Sequence, residues 1–214
     1  MSLPETSTVK PCWRWWPLAA LLAVTLLVRG GALMAMHERL RDDPDAYRQI
    51  AQGWLATGVY TLDVPLDAST IPTTVAPTAF RPPLYPLALT NLAWRQQVAP
   101  WSIGVLHWVL GVLTVLLVYR LGLDWGLRQW SLLAALLVAC DPILINQSVL
   151  VMTETLATLL AVVGLWQLTR FSQRRSCLNA LLSGAALGLA VLCRPTFLPW
   201  AGLVVLTVLA TSGS

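Results

Sequence analysis

Three carboxylates stand close together at Asp42, Asp43 and Asp45, where a helical pattern begins. One suffices to cap a helix, so three exceed what a cap requires. One of them is therefore either a cap or a general base toward an incoming hydroxyl or amine. Farther on, Arg81 stands in AFRPPLYP. The two prolines restrict the backbone there. A guanidinium held in this way suits a phosphate, which it can grip bidentately; its plainer use is to snorkel to lipid headgroups. Arg194 repeats the Arg-Pro arrangement in LCRPTFLP, and the two arginines could hold one anion.

Glu154 lies in SVLVMTETLATLL, about one turn inside an apolar run. Inserting a charge there costs about 2.5–3.5 kcal/mol, so such a carboxylate is functional or paired. Arg194 and Arg29 are the candidate partners. Asp141 precedes Pro142 at a helix exit, where Asp-Pro also serves as a turn former. His107 stands alone inside an apolar run and suits a helix–helix hydrogen bond. His37, beside Glu38, has no second His or Cys placed to complete a metal site.

The elements that must position these residues are membrane helices. Of 214 residues, 57% are hydrophobic and 11% charged, against about 25% charged in a soluble domain. The composition predicts an all-α polytopic membrane protein. The net charge of +4 comes from scattered basic residues, with no basic face for nucleic acid. Eleven Trp suit membrane interfaces. The four Cys form no CxxC pair, so neither a disulfide framework nor a zinc site is expected. The chain has no P-loop, dinucleotide Gly-rich turn, HExxH or GxSxG.

Six spans are predicted, over residues 17–36, 101–119, 130–145, 149–168, 178–193 and a marginal 197–211. Residues 1–10 read as unstructured and 11–16 as an interfacial anchor. Residues 37–100 form the first long loop. Within it, Asp43 caps a surface helix beginning at Pro44 and running to Thr57, ended by Gly58. Residues 59–79 read as irregular loop and 83–94 as a second short interfacial helix. Lys10, Arg14, Arg120, Arg128, Arg170, Arg174 and Arg175 put the N-terminus and the basic connections in the cytoplasm. Asp43, Arg81, Asp141, Glu154 and Arg194 then share the outer side, as a cleft at that interface requires.

An acid four residues before a Tyr, a surface helix, and a basic residue leading Pro-Pro-Leu-Tyr-Pro come in a distinctive order. The residues are Asp43, Tyr47, Arg81, Pro82, Pro83, Leu84, Tyr85 and Pro86. This order resembles the first outer loop of GT-C membrane glycosyltransferases, of the protein O-mannosyltransferase and aminoarabinose transferase group. The stretch DPILINQSVLVMTETLATLLAVVGLW, and the segment LCRPTFL, also look like family features. The resemblance implies transfer of a sugar, with inversion, from a polyprenyl-phosphate carrier. The acceptor would be a lipid, glycan or protein outside the cytoplasmic membrane. It implies Asp43 as base, Glu154 as a second catalytic or acceptor-binding acid, and Arg81 and Arg194 as phosphate ligands. Tyr47, Tyr85, Asp45 and Asp141 complete the expected substrate-binding set.

The pattern departs from the family's in three places. Pro44 follows Asp43 where many relatives have Glu, which leaves Asp42 or Asp45 as the second acid. Phe80 stands where the aminoarabinose branch has a zinc-binding carboxylate, so no such metal site is expected. No cofactor is implied, and a divalent cation is left open. Family members usually have more helices and a C-terminal domain. The chain therefore reads as a single membrane domain over 1–214, the N-terminal part of such a module, with a partner subunit or C-terminal half supplying further helices. Two other readings stand beside the enzyme: a non-catalytic homologue that binds a polyprenyl-phosphate lipid or a partner, and a small transporter. A transporter calls for inverted repeats and helices broken at mid-membrane.

Overall fold

A computed structural model describes residues 15–63 and 75–212. Residues 1–14, with most of the expected interfacial anchor, and residues 64–74 of the expected irregular loop lie outside the described residues. Nine α-helices occur among the described residues: α1 (Trp16–Met36), α2 (Tyr47–Thr57), α3 (Leu84–Thr90), α4 (Pro100–Asp124), α5 (Trp130–Ala139), α6 (Pro142–Ser148), α7 (Glu154–Gln173), α8 (Cys177–Cys193) and α9 (Leu198–Ser212). Short 3₁₀ turns follow α1 at His37–Arg41 and precede α9 at Pro195–Phe197. No strand occurs among the described residues; Trp94 and Gln97 make an isolated bridge.

The chain is an all-α, multi-pass membrane protein. Three helical stretches are long and apolar enough to cross a bilayer: Trp16–Arg41, Pro100–Asp124 and Glu154–Gln173. A fourth crossing is made if α5 and α6 count as one span, bent by 46°. Of the six expected spans, three to four meet this test of length and composition. The third segment breaks because Asp141 caps α6, its Oδ1 accepting from the Leu144 N–H at 2.8 Å, with Pro142 at the first helical position. The last two segments have 17 and 15 residues. At 1.5 Å per residue they reach about 25 and 22 Å, short of a hydrocarbon core of about 30 Å.

Two apolar cores hold the helices together. Leu21, Val115, Ala135 and Ala139 join α1, α4 and α5. A second core, including Leu33, Leu40, Tyr47, Tyr85, Ile103 and Val151, clamps α2 and α3 onto the ends of α1 and α4. Close approach of α1 to α4 depends on two glycines seven residues apart. A Cβ on Gly104 would sit 2.5 Å from Leu33 and 2.7 Å from Leu40, and one on Gly111 would sit 2.6 Å from the Arg29 guanidinium.

The two ends of the bundle differ. Trp166 Nε1 donates to Asp124 at 2.9 Å, Trp125 Nε1 donates to Thr169 at 3.0 Å, and Arg120 pairs with Asp124 at 3.0 Å. These contacts bring the C-termini of α4 and α7 together at the end carrying the basic connections. The N-termini of α4 and α7 therefore lie at the other end, with the loop helices α2 and α3.

Candidate active site

The loop before α2 turns more sharply than its sequence suggests. The helix begins at Tyr47, not at Pro44, because Ala46 adopts a left-handed conformation with φ 59°. Such a backbone costs an L-residue about 1–2 kcal/mol. The reversal swings Asp43 back over the helix start. Its Oδ2 accepts from the Gln49 N–H at 2.9 Å, and the N–H groups of Tyr47 and Arg48 also point toward it. Asp43 is thus not the N-cap expected before a helix starting at Pro44; it accepts from the first turn of α2 from three residues upstream of the N-cap, Ala46. Its Oδ1 is shielded from solvent and has no hydrogen-bond partner. Burial pushes the Asp43 carboxyl above the usual range; the N–H of Gln49 and the charge of Arg48 pull the other way and are outweighed.

The same turn aims Asp45 at Arg81. Arg81 Nη2 donates to Asp45 Oδ1, and its Nε donates to the Asp45 carbonyl at 3.1 Å. The guanidinium carbon lies 4.4 Å from the Phe80 ring and 5.5 Å from the Tyr47 ring. Tyr60 secures the backbone behind it, its hydroxyl donating to the Arg81 carbonyl at 2.9 Å. Arg81 is thus held by a carboxylate, two rings and a fixed backbone, with about a quarter of its side chain exposed.

A second ion pair lies across the bundle. Arg194 Nη1 donates to Glu154 Oε1 at 2.6 Å. Of the two partners foreseen for Glu154, the structure selects Arg194. Arg29 instead donates from Nη2 to the Val138 carbonyl at 3.0 Å. Glu154 is the first residue of α7, not one turn inside a span, because residues 149–153 form irregular backbone. Glu154 Oε2 is buried and unpaired. The pair opens on a cleft of about 280 Å³, bounded by α6, α7 and the turn at Pro195–Phe197.

Tyr47 stands between the two pairs. Its ring meets Tyr85 edge-on at 5.1 Å, and its phenol lies beside the Thr153 side chain. Its oxygen feels the charges of Arg81, Asp45 and Glu154. Tyr85, expected among the substrate-binding residues, is placed in the interior. It is fully buried, and its hydroxyl donates to His107 Nε2 at 2.7 Å. The other ring nitrogen of His107 donates to the Ser148 carbonyl at 3.0 Å, which fixes the tautomer. Asp141 is likewise occupied as the cap of α6. His37 pairs with Glu38, whose other oxygen meets Arg41.

The expected set therefore divides. Asp43, Asp45, Tyr47 and Arg81 gather under the loop, and Glu154 and Arg194 line the adjoining cleft. Two residues went unnoticed in the sequence. Thr153 links the loop to α7. Gln147 lines the cleft with its side-chain oxygen buried and unpaired. The signal for Gln147 was a polar amide inside the apolar run DPILINQSVLV.

A family profile described as dolichyl-phosphate-mannose-protein mannosyltransferase matches residues 81–213, more than half of the chain. The chain belongs to this family. The match begins at Arg81, so it covers Arg81, Tyr85, Asp141, Glu154 and Arg194. Asp43, Asp45 and Tyr47 precede it; the place of Asp45 and Tyr47 beside Arg81 rests on the geometry above. Neither a curated protein nor a solved structure matches the chain. Membership in the mannosyltransferase family makes sugar transfer the kind of chemistry to which the geometry answers.

Proposed function

We propose that this chain transfers a sugar from a polyprenyl-phosphate carrier to a hydroxyl or amine acceptor at the outer membrane interface. The observation that carries the proposal is a guanidinium, Arg81, fixed by Asp45 and stacked on Tyr47, on the loop whose turn also folds back Asp43 with one unpartnered buried oxygen. The family's description names dolichyl-phosphate-mannose as donor and protein as acceptor. Mannose is therefore the first sugar to test, and a lipid or glycan acceptor the alternative to protein.

The chemistry needs few groups. The acceptor oxygen or nitrogen attacks the anomeric carbon from the face opposite the phosphate, and configuration inverts. Asp43 takes the acceptor's proton as the new bond forms. The bond between the anomeric carbon and the phosphate oxygen breaks, and the phosphate leaves with the electron pair. The charge growing on it is met by the Arg81 guanidinium, which is already fixed in place. Arg194 adds positive charge on the cleft side, and Glu154 orients the acceptor. Tyr85 and Asp141 act indirectly, by holding α3 and α6. The proposal requires no cofactor.

The arrangement of basic connections supports a cytoplasmic end opposite this site. A non-catalytic homologue that only holds the carrier lipid is favoured by one observation: both arginines already have carboxylate partners. The full chain reconstituted with radiolabelled polyprenyl-phosphate mannose and membrane acceptors separates the two. Label reaching an acceptor supports transfer; carrier bound without label moving supports the homologue.

A further inference from the structure

The cleft beside Glu154 and Arg194 has a second compartment. A chamber of about 10 Å³ lies behind it, walled by Arg29, Gly111, Thr114, Leu144, Gln147, Thr155 and Thr158. Leu144, Gln147 and Thr158 also line the cleft, so the two share a wall. Three polar atoms at the chamber are buried without partners: Arg29 Nε, Gln147 Oε1 and Thr155 Oγ1. Arg29 is 3% and Thr155 6% exposed. Unsatisfied polar atoms at this depth are uncommon, and they point to a group that fills the space.

The atoms specify that group. Arg29 Nε–H donates, Gln147 Oε1 accepts, and the Thr155 hydroxyl can do either. One hydroxyl satisfies all three, by accepting from Arg29 and from the Thr155 hydroxyl and donating to Gln147. The volume admits one water-sized group. It excludes an acetamido group or a phosphate. In the cleft itself, Glu154 Oε2 is a further unpaired acceptor, and Phe197 supplies an aromatic side chain. The larger space of about 280 Å³ takes a sugar ring.

We infer that the chamber is a specificity subsite reading a single ring hydroxyl of a sugar seated in the Glu154–Arg194 cleft, with Gln147, Arg29 and Thr155 as the residues that read it. The inference rests on the sugar-transfer reading for the choice of ligand, and it assigns discrimination to residues that take no part in bond making. Removing that hydroxyl leaves Arg29 and Gln147 unsatisfied, which penalises a deoxy sugar more strongly than the loss of one exposed contact.

The test measures binding, not turnover, on the full chain in lipid nanodiscs, by saturation-transfer NMR. The probes are methyl hexopyranosides, their monodeoxy derivatives, methyl N-acetylhexosaminides and inorganic phosphate. The expected result is that one hexoside binds, that removing one particular hydroxyl weakens it about 5- to 100-fold, and that the N-acetyl derivative at that position does not bind. Gln147→Leu and the isosteric Thr155→Val should reduce that discrimination to under about 3-fold while the fold, checked by circular dichroism, is kept. Three results would overturn the inference: no hexoside binding, hexoside binding without any deoxy penalty, or full discrimination retained in Gln147→Leu. Phosphate competing with the hexoside also counts against it, by making the cleft an anion site. Discrimination in a chain that never transfers sugar leaves the subsite standing and removes the transferase reading. Transfer without discrimination does the reverse.

Discussion

The hydroxyl of Tyr85 and Nε2 of His107 stand 2.7 Å apart in the interior, and Nδ1 of the same ring reaches the Ser148 carbonyl at 3.0 Å. One histidine thus ties a loop helix, a spanning helix and the end of α6 together. Tyr47 packs edge-on against Tyr85, so the position of the loop that carries Asp43 and Arg81 depends on a hydrogen bond formed inside the bundle.

That dependence is measurable. Tyr85→Phe leaves His107 Nε2 without a donor, and His107→Phe strands both the Tyr85 hydroxyl and the Ser148 carbonyl. Each should destabilise the chain by about 1–3 kcal/mol. The double variant should cost less than the sum, by about 1 kcal/mol, as expected for groups in one network. Denaturant unfolding in detergent checks this. Strict additivity would show that the contact does not carry the coupling.

Asp43 carries opposite signs for stability and activity. Its carboxyl is raised in the folded chain, chiefly by burial. A raised acid favours folding below its unfolded pKa of about 3.9, and that contribution is lost as pH rises through the folded value. Asp43→Asn should therefore be at least as stable as wild type at neutral pH, since the amide oxygen can still accept from Gln49. Asp43→Ala loses that acceptor and should cost about 1 kcal/mol. Thermal unfolding of the two variants between acid and neutral pH checks the order. For activity, the base form is lost as pH falls, so the acid limb of turnover should lie above the range of an exposed aspartate. An acid limb at or below about 3.9 would contradict the assignment.

The approach of α1 to α4 should not tolerate side chains at its glycines. Gly104→Val would drive methyl groups into Leu33 and Leu40, and should cost about 1–3 kcal/mol or more. Gly184, whose Cβ would meet nothing within 4 Å, should accept Ala with little change. Comparing folded yield and melting of the two variants checks the contrast. Equal behaviour would mean that the helices do not pack this closely.

Much of this was legible in the sequence, for reasons that also mark the limits. The first two spans show as long apolar runs, the first interrupted only by Arg29, and their helices match within a few residues. The charge in SVLVMTETLATLL called for a partner, and both candidates, Arg29 and Arg194, were arginines inside or at the end of other apolar runs. Choosing between them needed the packing of α7 against α8, which hydropathy does not show. The break at Asp141 was readable as a turn but not as a 46° bend between two helices. The start of α2 was misplaced because a left-handed Ala46 carries no signal in an alanine. The reversal there is set by burial of Tyr47 and by the pull of Asp43 on three N–H groups. Tyr85 belonged to a recognised motif, yet its hydroxyl points inward to a histidine 22 residues away.

The Glu154–Arg194 pair is partly exposed, with 38% of the arginine side chain open to solvent. Screening limits its worth to about 1 kcal/mol or less. Arg194→Ala should thus lower stability modestly while lowering transfer more than tenfold. The exchanged pair Glu154→Arg with Arg194→Glu should recover stability and not transfer. Melting temperature and initial rate, measured on the same preparations, check this. Recovery of transfer by the exchanged pair would make the bridge purely structural.

The most direct measurement of the central claim is single-turnover transfer from radiolabelled polyprenyl-phosphate mannose by the reconstituted full chain, comparing wild type with Asp43→Asn and Arg81→Lys. The account predicts transfer by wild type, a loss of at least about 100-fold in Asp43→Asn as a general base is removed, and a marked loss in Arg81→Lys. That lysine keeps the charge but not the planar fork that meets Asp45 and a phosphate together. Wild-type turnover in both variants, or no transfer by a folded wild-type chain supplied with its acceptors, would contradict it.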